Sequence, residues 1–184
     1  MKLVEIKKPT FDVDISLTYA TAENFTEKMV YKNAICYLHQ DASLALLKAI
    51  EYAANIGYRL LIYDAFRPSE AQWVLWNHTP DPNFLANPKK GSPHSRGVAI
   101  DLTLIDLNGT PLEMGTGFDD FTTKSHHGNT EISKIAQQNR LTLLGIMTLA
   151  GWDFYRNEWW HYQLFNAREF ALINDTDIPR SMMN

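Results

Sequence analysis

The stretch "GSPHSRGVAIDL", Gly91 to Leu102, constrains the chain more than any other, because it sets His94 and Asp101 seven positions apart with a glycine between them. On an α-helix the two would share a face but stand about 10 Å apart along the axis, too far for one metal ion to bind both. On a regular strand an odd separation sends them to opposite faces. The chain must therefore turn between them, and Gly97 is the residue that permits it. This predicts a loop carrying His94 folded over a strand carrying Asp101. Imidazole and carboxylate both bind Zn²⁺ at about 2.0–2.2 Å, and a third ligand leaves a fourth position for water. The best third candidate lies in "EWWH", where Glu158 and His161 stand three apart among aromatics that keep a site dry. His161 reads as the ligand, and Glu158 as the base that takes a proton from metal-activated water. The sequence has no HExxH, which excludes the helical arrangement of that motif.

The rest of the chain reads as α+β. "DASLALLKAIEYAANIG" has Asp41 or Ser43 as a start signal, Leu44, Leu47, Ile50 and Ala54 at roughly helical spacing, and Gly57 as a stop, which predicts a helix. "YRLLIYDAFRP" follows as a buried strand ending at Pro68, which places Arg67 near the strand's end. "SEAQ" matches a capping box, with Ser69 at the N-cap and Gln72 at N3 of a short helix running to His78. Three prolines and two asparagines make Thr79–Gly91 a surface loop of the kind that borders sites. "VAIDLTLIDLNGTPL" reads as a strand closed by an Asn-Gly turn, with Val98, Ile100, Leu102 and Leu104 on one face and Asp101 and Thr103 on the other. A long helix is expected from about Thr130 to Ala150 with Gly151 after it, and "EWWHYQLF" as the last strand. No repeat or linker divides residues 1–184, so one domain is expected. It should hold a mainly antiparallel central sheet flanked by helices, and one zinc in a cleft.

Charge narrows the partners. A net charge of -4 supplies no basic field for phosphates, which argues against nucleic acid and for a small neutral or zwitterionic ligand. No segment approaches the 18 or so consecutive apolar residues of a membrane span. The first residues, "MKLVEIKKPTFDVDIS", lack the apolar core of a signal peptide, and Cys36 is the only cysteine, so a cytoplasmic location is expected.

"SPHSRGVAID" with "EWWH" downstream resembles the SxHxxGxAxD and ExxH pair of the zinc D-Ala-D-Ala metallopeptidases. Within that group the chain is most similar to the D-alanyl-D-alanine dipeptidases associated with vancomycin resistance, through "TYATAENFT", "YDAFRP", and "MGTGFDDF" followed by "SHH". The resemblance implies hydrolysis of D-alanyl-D-alanine or similar D,D-dipeptides with one zinc per chain, bound by His94, Asp101 and His161. It further implies Glu158 as general base and Arg67 as the donor to the oxyanion, a role that suits a planar, permanently charged guanidinium. Asp119 would receive the substrate's ammonium, with its neighbour Asp120 as the alternative, and Ser92 would lie near the carboxylate. Tyr19 and Tyr31 would help to close the pocket.

Taken singly, these residues have ordinary readings: His94 and His161 as hydrogen-bonded structural histidines, Asp101 as a turn cap, Arg67 as an ion-pair former. Together, an aspartate on a buried strand is costly without a cation nearby, which favours the metal. His126 and His127 read as supporting polar groups rather than ligands, His39 and His78 as surface residues, and Cys36 as a small buried hydrophobe. The nearest rival function is a D,D-carboxypeptidase or cell-wall endopeptidase with the same metal set. A more distant one is a zinc-stabilised binding module like the hedgehog signalling domain, which would need neither Glu158 nor Arg67.

Overall fold

The computed structural model describes residues 3–184. Strand β1 (Leu3–Glu5) pairs antiparallel with β3 (Tyr37–His39) in a small sheet of their own. The central sheet contains β2 (Asp14–Ile15), β4 (Arg59–Asp64), β5 (Ala99–Ile105), β6 (Trp152–Phe154) and β7 (His161–Leu164), in the order β2-β4-β5-β7-β6. Only the β2–β4 pairing is parallel, so the sheet is mainly antiparallel, as expected. Helices α1 (Gln40–Asn55) and α3 (Lys134–Leu149) contact each other, α1 lying against β4 and α3 against β6, while α2 (Ser69–His78) follows the end of β4. This is the single α+β domain that the sequence pattern suggests.

Helix α1 forms where periodicity places it but buries a different stripe. Ala42, Ala45, Leu46, Ala49 and Ala53 are buried, whereas Leu44 is 54% and Leu47 37% exposed. Both sets have helical spacing, and the alanines win because a face of small side chains lets the helix approach its neighbours closely. The helix also starts at Gln40, capped by His39, whose Nδ1 accepts from the Asp41 amide at 3.2 Å. His39 is therefore a half-buried cap rather than a free surface residue. The capping box at Ser69 does not form. Ser69 Oγ donates instead to the Ile173 carbonyl and Gln72 turns toward Arg67, so α2 begins without a side-chain cap. Helix α3 begins at Lys134 with Ser133 as its cap, later than the expected Thr130, and ends before Gly151 at φ 98°.

β5 lies in the middle of the sheet and all seven of its residues are buried, including Asp101 and Thr103 on the face expected to be the more polar. The pairing of β4 with β5 slips between Ile62 and Asp64, so that Asp64 rather than Tyr63 lies opposite Asp101. Asp101 is in turn directly opposite His161 on β7. Three ionisable side chains are thus gathered at one level of the sheet.

Candidate active site

Gly97 makes the turn that its spacing demands, at φ 70°, and has no room for more than hydrogen: an added Cβ would stand 2.9 Å from Leu3 Cδ2 and 3.1 Å from the His39 amide nitrogen. Ahead of it a 3₁₀ turn, His94–Arg96, holds His94 over the sheet. His94 Nε2 lies 3.3 Å from Asp101 Oδ2 and 3.1 Å from His161 Nδ1, and His161 Nδ1 lies 3.0 Å from Asp101 Oδ1. Three buried ligand atoms thus converge within 4.8 Å of one another. Ligands about 2.0–2.2 Å from one tetrahedral ion stand roughly 3.3–3.6 Å apart, so the set fits zinc with little movement. The outward ring nitrogens are also engaged: His94 Nδ1 donates to the Ala65 carbonyl at 2.7 Å, and His161 Nε2 meets Gln163 Oε1 at 3.2 Å. Such partners fix each tautomer so that the inward nitrogen is a free acceptor for metal. Burial alone would raise the pKa of Asp101, but the facing His94 and His161 outweigh it and hold its carboxyl well below the usual range.

Glu158 stands apart from this set, on the irregular segment before β7, with Oε2 3.8 Å from His161 Nδ1. Burial, then the negative charges of Asp101 and Asp119, push its carboxyl well above the ordinary value. Arg67 is buried and held on several sides. Its Nε donates to Asp64 Oδ2 at 2.8 Å, Nη2 contacts the same oxygen at 2.8 Å, and Nη1 donates to Gln72 Oε1 at 2.8 Å. Nη2 is also 3.6 Å from Asp101 Oδ2, and the guanidinium carbon lies 5.0 Å from the centre of the Tyr19 ring.

The cleft has a volume of about 230 Å³ and is lined by eight of the nine expected site residues, all but Tyr31. Tyr31 does not border it. It is fully buried and donates its hydroxyl to Asp64 Oδ1 at 2.8 Å, because that buried carboxylate needs a donor on the side away from Arg67. Ser92 lines the cleft and accepts from the His94 amide at 3.2 Å. Asp119 lines it as well, and Asp120 does not. Asp119 has a left-handed backbone at φ 59°, and Tyr19 donates its hydroxyl to Asp119 Oδ2 at 2.8 Å. Burial dominates this carboxyl and, despite the Tyr19 hydrogen bond, pushes it up to about 8. Phe84 and Leu85, from the proline-rich loop before Gly91, form part of the apolar wall.

Three supporting residues escaped the sequence reading. Asp64 sits in "YDAFRP" with nothing in the sequence to name its partner, Gln72 fits a helix cap, and Arg140 on α3 lies in no motif. Arg140 is buried, and its guanidinium donates to the carbonyls of Met114 at 2.7 Å, Lys124 at 2.8 Å and His126 at 3.2 Å while lying 5.7 Å from the Trp159 ring. It thereby ties the segment that carries Asp119 to the one that carries Glu158. His126 and His127 stand outside the ligand cluster. Burial, then the charge of Arg140, lowers His127 to about 4, and its amide donates to the Arg156 carbonyl at 2.9 Å. Cys36 is buried, which pushes its thiol well up and leaves it no nucleophilic character.

A protein-family model described as D-Ala-D-Ala dipeptidase matches residues 1–179. A D-alanyl-D-alanine dipeptidase of Escherichia coli is 45% identical over 174 residues, covering 95% of this chain and 90% of that protein. One of Enterococcus faecium is 40% identical over 168 residues, covering 79% and 83% respectively. A solved structure of the vancomycin-resistance D,D-pentapeptidase VanY with Zn(II) superposes at a TM-score of 0.49 with 14% identity, covering 89% of this chain and 84% of that one.

Proposed function

The chain belongs to the D-Ala-D-Ala dipeptidase family, and from that premise we propose that its cleft hydrolyses D-alanyl-D-alanine with one zinc bound by His94 Nε2, Asp101 and His161 Nδ1. The observation that carries this reading is the convergence of those three buried atoms within 4.8 Å, with Glu158 and Arg67 at the same cleft. A zinc ion held there would supply Lewis acidity toward the scissile carbonyl and a water of pKa about 7.

Glu158 is the base that takes a proton from the attacking water and returns one to the leaving amine. It suits the task because it lies beside the ligand set without belonging to it, and because among the described residues its carboxyl has no hydrogen-bond partner to compete for the proton. Arg67 stabilises the developing oxyanion. A guanidinium has five N–H groups; Asp64 and Gln72 hold three of them, so the remaining two are already oriented when charge develops. Asp119 receives the substrate's ammonium, which replaces the missing counter-charge of a carboxyl that burial makes reluctant to ionise. Tyr19 positions Asp119, and Ser92 lies toward the carboxylate end. A free amino terminus is thereby rewarded, which favours dipeptides over the longer substrates of a carboxypeptidase.

No described helix is long and apolar enough to cross a membrane. A cytoplasmic location forms part of the proposal, supported by the lone buried Cys36. The decisive experiment is zinc analysis together with D-Ala-D-Ala hydrolysis. Activity that survives complete metal removal, or a protein that cleaves N-acetylated or pentapeptide substrates as well as the free dipeptide, overturns the assignment.

A further inference from the structure

The catalytic cleft continues into a second, larger cavity of about 550 Å³. Ala86, Pro93, Tyr155 and Gln163 line both, whereas Tyr19 and Asp119 line only the first. A dipeptide whose ammonium lies at Asp119 therefore extends its carboxyl-side residue toward the shared wall. This direction rests on the function proposed above.

The second cavity is strongly basic for a chain whose net charge is -4. Lys90, Arg96 and Arg168 border it against a single carboxylate, Glu169. Among the described residues none of the three cations forms an ion pair. Arg96 is anchored by the carbonyls of Phe170 and Lys90, so its charge is held in place. Arg168 lines the same cavity, so two guanidinium groups and the Lys90 ammonium share one concavity. Like charges on a convex face are relieved by water and salt. Here they surround a concavity that opens from the reaction site, where an anion would relieve the repulsion and a methyl side chain would gain nothing.

We propose that this cavity recognises a carboxylate on the side chain of the substrate's second residue, so that the enzyme selects D-alanyl dipeptides ending in an acidic D-amino acid over their neutral amide counterparts. The test compares kcat/KM for D-Ala-D-Glu with D-Ala-D-Gln, and for D-Ala-D-Asp with D-Ala-D-Asn, in the zinc-loaded parent and in a Lys90→Ala/Arg168→Ala double variant. Both positions are on the surface, and Arg168→Gln alone serves as a second, milder variant. Partly exposed charges of this kind give an acid-over-amide preference of about 3-fold or more at low salt. That ratio falls toward one in the double variant, and in the parent at about 1 M salt, where the screening length shrinks to roughly 3 Å. A ratio of one or below in the parent overturns the proposal, and so does a ratio that the variants leave intact. If the parent cleaves no dipeptide at all, the dipeptidase reading fails, and calorimetry with D-glutamate against D-glutamine then judges the cavity separately. Tighter D-glutamate binding that is lost in the double variant upholds an anion site, and equal binding of the two overturns it.

Discussion

Asp101 and His161 face each other across paired strands in the middle of a sheet, whereas Asp119 projects from an irregular segment with a left-handed backbone and depends on a distant helix for its position. At the metal end, strand pairing does the positioning. Once β5 and β7 are in register, the carboxylate and the imidazole are within 3.0 Å, and only His94 has to be folded over them. At the proposed substrate end, Tyr19, Arg140 and Trp159 do the same work through side-chain hydrogen bonds. A rigid sheet suits groups that must keep ångström geometry, and loops suit groups that set which substrate is accepted.

The strongest way to break the comparison is to strike the metal end. Asp101→Ala should abolish zinc binding and turnover together, while Glu158→Ala should retain about one zinc per chain and lose roughly 10² to 10⁴-fold in kcat. Metal analysis beside kinetics checks both, and zinc loss in the Glu158 variant would make that residue a ligand. Next comes the rim. Asp119→Ala should lower kcat/KM for free D-Ala-D-Ala by about 30-fold or more, the scale of an unpaired buried charge, and leave the N-acetylated substrate nearly unaffected. If Asp120→Ala behaves this way instead, the wrong aspartate has been placed in the cleft.

A third substitution probes the tie between the two ends. Arg140→Met leaves the carbonyls of Met114 and Lys124 without their donor, while that of His126 keeps the Asn129 amide, and should cost about 2–4 kcal/mol of stability in denaturant unfolding. It should raise KM several-fold while zinc content stays unchanged, because the strands do not depend on it. The smallest effect concerns protons. In the folded protein Asp119 is raised to about 8, above an unfolded value near 4. Its protonated form therefore favours folding, with the contribution fully present below about pH 4 and lost as pH rises through 8. Metal-free protein should lose roughly 1–2 kcal/mol more between pH 5 and 9 than Asp119→Asn does, allowing for solvent at the cleft mouth. Equal pH slopes in thermal melts would argue against a raised carboxyl at Asp119.

The same division explains what was legible in the sequence. The His94-Gly97-Asp101 spacing predicted a turn over a strand because backbone geometry allows little else, and the strand carrying Asp101 followed from alternation. Helix α1 was legible as a helix but not in its buried face, since alanines and leucines shared the period and only tertiary packing chose between them. Ser69 and Gln72 fit a local capping box, yet partners outside it claim both side chains, the distant Ile173 for Ser69 and the nearby Arg67 with Ala86 for Gln72. Tyr31 is implied by the resemblance alone, which does not say whether it faces the cleft or the back of Asp64. Arg140 was invisible because its partners are backbone carbonyls, which have no sequence signature.

The slip in pairing between Ile62 and Asp64 makes length, rather than composition, the sensitive property of β4. Replacing Tyr63 with another β-former leaves the count of residues unchanged. Inserting or deleting one residue there would shift every later side chain by one place along the pleat and turn it to the other face. Asp64 would then lose its place opposite Asp101, and Tyr31 and Arg67 would lose their common acceptor. Gain or loss of a residue is therefore closed to this strand, whereas exchange of one side chain for another of the same propensity is not.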